Sequence, residues 1–431
     1  YTGIRMCNEL LENIDRVPDL DPELKKRYIG EAKVLRAYNY YELYTKFGDV
    51  PYTTKVLSIK ESMSIARTAK ATVIANVLAD LDEVINGNYL PTSYDADNKG
   101  RITRWAAMAI KAKIYLFEGN WTQVKNITST IMTEGGFKLF GSYAGLFEIA
   151  NEYNSEVILD AQYRPTSREH QMMYVFLPPT LGGYSQLSPL QELVDSYIML
   201  DGKTIKETGT SFDESHPYAN RDPRLKATVM YTGNSYTLAD GTEVVINCEK
   251  GEGKDGYGVG SDCSATGYYI KKYWDNTYRA TLYSGLNPIL IRYADILLMN
   301  AEALAELGEL DKTAWDATIK PIRDRAGFTL ASALEFPEGA SKDKLIEIVR
   351  NERRSELALE GHRHKDIIRW RIADNVLNGW CHGLKTNDVV GTDDGYVRVE
   401  NRTFNANKHY LWPIPQAERD LNGNLEQNPN W

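Results

Sequence analysis

The residues best suited to chemistry form an aromatic stretch in the second half of the chain. Tyrosines and one tryptophan alternate there with polar side chains between positions 268 and 283. Sugar rings present flat C–H faces that stack on aromatic rings, while carboxylate, amide and guanidinium groups hydrogen-bond to sugar hydroxyls. We therefore predict a ligand-binding site for sugars on this stretch. The predicted site residues are Trp274, Tyr278 and Tyr257 as stacking platforms, with Asp275, Asn276 and Arg279 as hydrogen-bonding partners.

Trp274 has an alternative interpretation. It follows an apparent strand from Tyr268 to Tyr273, so its ring could anchor the core instead of meeting a ligand. In that case we expect the ligand site around Tyr163, around Arg168 or in a segment that precedes the first residue of the chain.

A charged segment, residues 352–369, is the other candidate for chemistry. Its acidic and basic residues recur at spacings that allow i,i+3 and i,i+4 ion pairs on a helix: Glu352, Arg353, Arg354, Glu356, Glu360, Arg363, Asp366 and Arg369. Glu352 and Glu356 lie one turn apart on one helix face, whereas the two carboxylates of a glycosidase flank the sugar from opposite sides. We predict that the segment forms structural ion pairs.

Other catalytic and metal-binding patterns are missing from the sequence. His362 and His364 are two residues apart, no H-E-x-x-H sequence exists, and the Gly-rich run 251–260 lacks the strand and helix of a phosphate-binding loop. No serine stands in a G-x-S-x-G context. Aspartates in residues 95–98 and 393–394 could bind a structural calcium ion, but such stretches are more often solvated turns. We expect no cofactor, no metal site and no enzymatic activity.

The overall charge argues against nucleic acid as a partner. The chain has 431 residues, with 50 Lys and Arg against 59 Asp and Glu, a formal net charge of −9; nucleic-acid binding requires a clustered basic excess. No apolar run reaches the roughly 18 residues of a membrane-spanning helix.

The chain is rich in tyrosine, with 28 Tyr against 10 Phe and 8 Trp. This excess favours a partly solvent-exposed recognition surface or, as the alternative, a tyrosine-rich core.

The four cysteines form no metal or redox motif, because none has C-x-x-C spacing. Only Cys248 and Cys263 are close in sequence. Their polar, Gly-rich surroundings are compatible with a surface disulfide or with two free thiols.

Helical periodicity dominates the chain outside its middle third. Helices are predicted from Asp21 to Gly48, from about Ala71 to Gly87, from Thr103 to Glu118, from Asn120 to Glu134, across Tyr293 to Arg325 and across Leu345 to Arg371. The pairs in 103–134 and 293–325 resemble tetratricopeptide helix pairs. Between about 137 and 288 the chain is loop-like, with strand-like runs at 156–159 and 243–246 and one helix-like run at 188–200. Loops this long usually carry function.

Motifs spread over these elements resemble, in order, those of the SusD/RagB family of surface glycan-binding lipoproteins. They are EAKVLRAY at 31–38, FGDVP at 47–51, DGK at 201–203, RDPRL at 221–225, IRYADILL at 291–298, IRDRAG at 322–327, the charged residues of 352–370, PIP at 413–415 and QNPNW at 427–431. Each motif is weak alone, whereas the ordered set covers about 400 residues.

The resemblance implies a mainly α, SusD-like fold in which about four tetratricopeptide-like helix pairs support a loop-rich ligand-binding half. It implies a single domain over 1–431, with a helical scaffold at about 1–135 and 288–371, a ligand-binding portion at about 136–287 and a loop-rich tail at 372–431. It further implies a lipid anchor at the outer-membrane surface and partnership with a SusC-like TonB-dependent transporter. Because the chain opens inside a helix, we expect it to be a fragment that lacks the anchor segment.

We therefore expect a non-enzymatic cell-surface protein that captures oligosaccharides or polysaccharides and passes them to the transporter. The resemblance, the tyrosine excess and the missing catalytic set support this function. A glycoside hydrolase and a helical-repeat scaffold that binds peptides stay open as alternatives.

Overall fold

The longest helix shows how local sequence sets the helix boundaries. Asp21 caps it by accepting a hydrogen bond from the Leu24 backbone N–H at 2.8 Å, and Pro22 occupies the first turn, where an N–H is not needed. The helix ends at Phe47 because Gly48 has a φ of 70°, a left-handed conformation that glycine adopts without strain. The predicted helix is confirmed as Pro22–Phe47.

A computed structural model describes residues 1–277 and 282–431. Its helices are α1 (Thr2–Asn13), α2 (Pro22–Phe47), α3 (Ile59–Ser62), α4 (Lys70–Asn86), α5 (Arg104–Phe117), α6 (Trp121–Glu134), α7 (Met172–Phe176), α8 (Gln191–Ser196), α9 (Pro223–Thr228), α10 (Tyr293–Leu307), α11 (Lys312–Ala326), α12 (Ala331–Leu334), α13 (Lys342–Glu356), α14 (Arg363–Arg369), α15 (Ala373–Val376) and α16 (Gln416–Leu421). Its strands are β1 (Val157–Asp160), β2 (Val229–Met230), β3 (Ser235–Thr237), β4 (Glu243–Val245), β5 (Tyr269–Ile270), β6 (Ile289–Arg292), β7 (Gly379–Lys385), β8 (Thr392–Asp393) and β9 (Tyr396–Arg402). The predicted mainly α fold class is confirmed.

The described chain divides into two compact units. Unit 1 comprises residues 1–136, 364–377 and 404–431, and unit 2 comprises residues 137–363 and 378–403. The single-domain organisation stays a prediction.

Unit 1 is built from helices that pack in succession, α1 on α2, α2 on α4, α4 on α5 and α5 on α6. Small side chains on α5 let its neighbours approach closely, and Ala106, Ala107, Ala109 and Ala112 are fully buried. Gly119, with a φ of 70°, and Asn120, which caps α6, form the predicted short connection between α5 and α6.

In the part of unit 2 that the structure describes, a helical layer is combined with four small antiparallel sheets. Helices α10, α11 and α13 pack against one another. The strand pairs are β1 with β6, β2 with β5 and β3 with β4, and the fourth sheet has the order β7, β9, β8.

The core of unit 2 contains several buried tyrosines, some of which have hydrogen-bonded hydroxyls. Tyr236 donates to the Ile270 carbonyl at 2.6 Å, and Tyr268 donates to Gln191 Oε1 at 2.6 Å. Burial of a ring is favourable when its hydroxyl finds a partner. The alternative explanation of the tyrosine excess, a tyrosine-rich core, therefore accounts for part of it.

Four predicted features differ from the structure. The continuous helix predicted across 345–371 is broken between α13 and α14, where Leu359 and Gly361 have φ values of 64° and 79°. The helix-like run at 188–200 shortens to α8, and the loop-like middle holds two further helices, α7 and α9. The tail contains the three-stranded sheet β7–β9–β8, which was predicted as loop. Whether such short elements form depends on backbone pairing between distant segments, and this pairing cannot be predicted from the local sequence.

Two further findings concern the described residues alone. None of their helices is long and apolar enough to cross a membrane. Cys248 and Cys263 are free thiols, as are Cys7 and Cys381.

Candidate functional site

Trp274 lies in the core of unit 2 beside the β3–β4 hairpin. Its side chain is only 9% exposed, and its indole N–H donates to the Thr237 carbonyl at 2.8 Å. The ring centroid is 5.1 Å from that of Tyr236. Little of the ring face is open to a ligand, so the burial favours the core-anchor interpretation of Trp274.

Asp275 organises the loop that follows. It is 2% exposed and accepts hydrogen bonds from the Thr277 backbone N–H at 2.9 Å and from the hydroxyls of Thr277 and Ser284. Asp275 therefore ties together the chain on both sides of residues 278–281. Tyr278 and Arg279 lie outside the described residues, and Asn276 is partly exposed next to Asp275.

Tyr257 lies elsewhere in unit 2, on the lining of an open cavity of about 610 Å³. The other wall comes from the turn and strands of the β7–β9–β8 sheet, through Asp388, Thr392 and Arg398. Ligand sites in proteins commonly have volumes of about 300–1,000 Å³. Trp274 is not part of this lining, so the structure does not bring the two predicted stacking platforms into one cavity.

The cavity wall carries charged donors and acceptors around the Tyr257 ring. Lys250 forms an ion pair with Asp388 across 138 positions of sequence. Arg398 pairs with Asp393 and also lies 5.7 Å above the ring of Trp380, which is 43% exposed. An aromatic face beside such groups is suited to a polyhydroxyl ligand, because each hydroxyl can both donate and accept.

A further aromatic pair in unit 2 is formed by Tyr174 and Tyr184. The rings of Tyr174 and Tyr184 stack with centroids 4.2 Å apart, and Tyr184 is 39% exposed. The hydrogen bond between the two hydroxyls raises the pKa of Tyr174, and the charge of Asp262 adds to that rise. The pair gives unit 2 a further, partly exposed aromatic surface outside the cavity lining.

The residues predicted as the fallback site form a surface hairpin. Arg164 and Arg168 pair as a β-bridge, and the guanidinium of Arg168 lies 5.4 Å above the Tyr163 ring. His170 pairs with Ser284, one of the partners of Asp275. Tyr163, Arg168 and the Asp275 loop therefore adjoin, at a place distinct from the Tyr257 cavity.

Sequence reasoning missed the second wall of the cavity and the Tyr174–Tyr184 pair. Lys250, Asp388 and Arg398 are ordinary surface residue types, and only the pairing of β7 with β9 brings the last two to the cavity. The sequence signal for that sheet was the alternation of apolar and polar side chains along residues 396–402.

The charged segment forms a buried ion-pair network, as predicted. The Glu356 carboxylate lies 2.6 Å from Arg292 and 2.9 Å from Arg224, and it also pairs with Arg325. These partners come from β6, α9 and α11, whereas the sequence had suggested partners within the same helix. Arg353 pairs with Asp295 of α10 at 2.6 Å.

The network holds its carboxylates in the charged form. Burial raises the pKa of Glu360, but Arg292 and Lys272 outweigh it and lower that pKa to about 2. Burial likewise raises the pKa of Glu356, and three arginines bring it well below its usual value. A general acid needs a pKa near the working pH, so these carboxylates are unsuited to protonating a glycosidic oxygen.

The described residues contain no group of three or more His, Cys, Asp or Glu side chains placed to hold a metal ion.

Two family models match the chain. The SusD family model matches residues 146–431. A second model, described as "Starch-binding associating with outer membrane", matches residues 1–116.

Individual proteins of the same kind are similar over most of the chain. A SusD-like protein of Formosa agariphila, P25, is 28% identical over 401 residues, which are 88% of this chain and 70% of that protein. The crystal structure of a SusD-like carbohydrate binding protein from Bacteroides fragilis is 30% identical, with a TM-score of 0.88, covering 98% of this chain and 84% of that one. A laminarin binding SusD-like protein has a TM-score of 0.68 at 24% identity and covers 100% of this chain and 84% of that one, a likeness of fold.

The resemblance seen in the sequence motifs is thereby confirmed, together with the mainly α, SusD-like fold class. With one family model spanning more than half of its length and the helical architecture of SusD-like structures, this chain belongs to the SusD family.

Proposed function

We propose that the protein binds carbohydrate without cleaving it, and that it does so on unit 2. The observation that carries the proposal is the open cavity at Tyr257, in a chain 30% identical to a SusD-like carbohydrate binding protein. The cavity combines an aromatic face with charged hydrogen-bonding groups, which is the combination that a sugar ring and its hydroxyls require.

Tyr257 is the stacking platform of the proposed site. Its ring is partly exposed at the cavity, so a sugar face can reach it without rearrangement of the core. Lys250, Asp388 and Arg398 provide hydrogen bonds to the hydroxyls. The exposed Trp380 and Tyr184 extend the aromatic surface for further units of an oligosaccharide.

The remaining predicted residues form a second contact region in the proposal, separate from the Tyr257 cavity. Asn276, Tyr278 and Arg279 supply its ligand contacts. Trp274 and Asp275 hold it in place through their bonds to Thr237 and Ser284, and act on the ligand indirectly. A long glycan can engage both regions.

A calorimetric titration against soluble glycans tests the proposed function. The panel contains laminarin, starch oligosaccharides and unrelated plant polysaccharides, and each mixture is afterwards analysed for new reducing ends. We expect saturable binding of at least one glycan and no product. Steady product release would identify a hydrolase, and binding of peptides with no response to any glycan would identify a scaffold; either result overturns the proposal.

We further propose that the protein works at the outer-membrane surface, held by a lipid anchor, and delivers its ligand to a SusC-like TonB-dependent transporter. The description of the family model over residues 1–116 supports outer-membrane association. Co-purification of the full-length protein with a transporter of that class from detergent-solubilised membranes tests the partnership. Recovery of the protein without any transporter under mild detergent would contradict it.

A further inference from the structure

A second cavity lies wholly within unit 1 and has a different chemical character. Its volume is about 660 Å³. Its basic lining residues are Arg67, Lys70, Arg369 and Arg371, and its acidic lining residues are Asp49 and Glu426. Lys70 is paired with Glu118 and Arg369 with Asp366, each at 2.9 Å, so the basic groups of the lining that remain to attract a negatively charged ligand are Arg67 and Arg371.

Arg371 has a cationic group without an ionic partner. Its guanidinium lies 3.8 Å from the centroid of the Tyr410 ring, and no described carboxylate pairs with it. The Tyr410 hydroxyl is occupied, since it donates to Asp374 at 3.0 Å. A guanidinium stacked on a ring keeps the N–H donors along its edge available, and that edge matches the two oxygens of a carboxylate or sulfate.

Arg67 also keeps its charge uncompensated. Its guanidinium donates to the backbone carbonyls of Asp49, Phe47 and Glu426 and to the Asn428 side-chain oxygen, at 2.6 to 3.0 Å. All four acceptors are neutral. The group is therefore rigidly held while its positive charge acts on the cavity.

Tyr44 adds an unsatisfied donor to the same lining. The residue is 1% exposed, and among the described residues its hydroxyl has no hydrogen-bond partner. Lys70 lies 5.7 Å above its ring and pairs with Glu118 at 2.9 Å. A buried hydroxyl without a partner is uncommon and unfavourable, and a ligand oxygen in the cavity would accept a hydrogen bond from it.

We propose that this cavity binds an acidic sugar, a monosaccharide unit that carries a carboxylate or a sulfate group. The acidic group pairs with Arg371 and is attracted by Arg67, and the sugar body fills the space beside Tyr44 and Tyr410. The cavity lies in the size range of small-molecule sites, so it is larger than one bare oxyanion needs. The site is independent of the Tyr257 cavity, and either can exist without the other.

Titration of the intact protein with sodium glucuronate, at an ionic strength of about 0.15 M, tests the proposal. Glucose serves as the neutral control and inorganic sulfate as the bare oxyanion. We expect glucuronate to bind and glucose not to, and we expect Tyr257→Ala to leave glucuronate affinity unchanged. Equal affinity for glucose and glucuronate would overturn the role of charge. Inorganic sulfate binding as tightly as glucuronate would overturn the role of the sugar body.

Two variants assign the binding to this cavity. Arg371 has a φ of 57°, and asparagine tolerates that left-handed conformation, so Arg371→Asn removes the charge with little backbone strain. We expect it to weaken glucuronate binding by about tenfold or more, and Arg371→Lys to restore part of the loss. Tyr44→Phe removes the unpaired hydroxyl, and we expect weaker binding with an unchanged or higher melting temperature. Full affinity in both Arg371→Asn and Tyr44→Phe would overturn the proposal.

Discussion

At the residue scale, burial separates the side chains that hold the loops of unit 2 from those that can meet a ligand. Trp274 and Asp275 are residue types typical of sugar sites, yet both are buried and bonded to protein groups. Tyr257, from the same predicted set, lines an open cavity. The spacing of aromatic and polar residues could predict the composition of the site, but it could not show which rings point into the core.

Replacement of Trp274 by alanine should therefore destabilise unit 2. The change removes a buried ring and leaves the Thr237 carbonyl without its donor, and we expect a loss of about 3–5 kcal/mol in the free energy of unfolding. Urea denaturation measures it. The exposed Tyr283 is the matched control, and Tyr283→Ala should change stability by less than about 0.5 kcal/mol. An unchanged unfolding midpoint with lost glycan affinity would instead show that Trp274 contacts the ligand.

Neutralising Glu356 tests the buried network. Glu356→Gln leaves Arg224, Arg292 and Arg325 short of one negative charge in a buried setting, and we expect about 3–5 kcal/mol of destabilisation. Glu347 on the same helix forms an exposed pair with Lys344 at 3.1 Å, so Glu347→Gln should cost less than about 1 kcal/mol. Similar urea midpoints for the two variants would contradict the structural role of the network.

At the scale of elements, the network makes the packing of the connection between α13 and α14, which contains Glu360, depend on pH. The folded-state pKa of Glu360 is about 2, below the usual value of 4.5, so its contribution to stability is fully present above pH 4.5. That contribution is lost as the pH falls from about 4.5 through about 2. We expect the urea midpoint to drop in this window and to drop less in Glu360→Gln. A midpoint that stays constant down to pH 2 would be evidence against the charged network.

The hairpin that forms one wall of the Tyr257 cavity should respond to pH in the opposite sense. The two ring nitrogens of His382 on β7 lie 2.8 Å from a carboxylate oxygen of Glu192 in α8 and 3.1 Å from one of Asp393 in β8, and in the protonated ring both N–H groups donate to these oxygens. Burial lowers the pKa of His382, but the bonds to Asp393 and Glu192 outweigh it and raise that pKa above 6.5. The stabilisation is therefore present below pH 6.5 and is lost as the pH rises through the folded-state pKa.

Amide hydrogen exchange over residues 379–402 measures this effect, after correction for the intrinsic dependence of exchange on pH. Protection should fall as the pH rises past the His382 pKa. His382→Gln, which keeps hydrogen-bonding groups without the titration, should show no such step. A step of equal size in that variant would assign the transition to another group.

Helix boundaries were the part of the fold that sequence predicted best. Caps and stop signals such as Asp21, Pro22 and Gly48 act within one turn, so they are visible locally. The break between α13 and α14 was missed because the apolar and charged periodicity continues across it. The β7–β9–β8 sheet was missed because its stability depends on pairing between segments.

At the scale of the whole molecule, ordered motifs over about 400 residues sufficed to predict the family and the mainly α architecture. The site was predicted only in part. Tyr257 was identified from its surroundings in sequence, whereas Lys250 and Asp388 meet across 138 positions. A cavity wall formed by such long-range contacts depends on the complete fold, and no local pattern encodes it.

The affinity of Tyr257→Ala for the glycan selected in the panel tests the central claim most directly. Isothermal titration is run on the wild type, on Tyr257→Ala and on Tyr283→Ala, with melting temperatures recorded for all three. The account predicts a loss of about 1–3 kcal/mol in binding free energy for Tyr257→Ala, with an unchanged melting temperature, and a smaller loss for Tyr283→Ala. Wild-type affinity in a folded Tyr257→Ala protein would contradict the account.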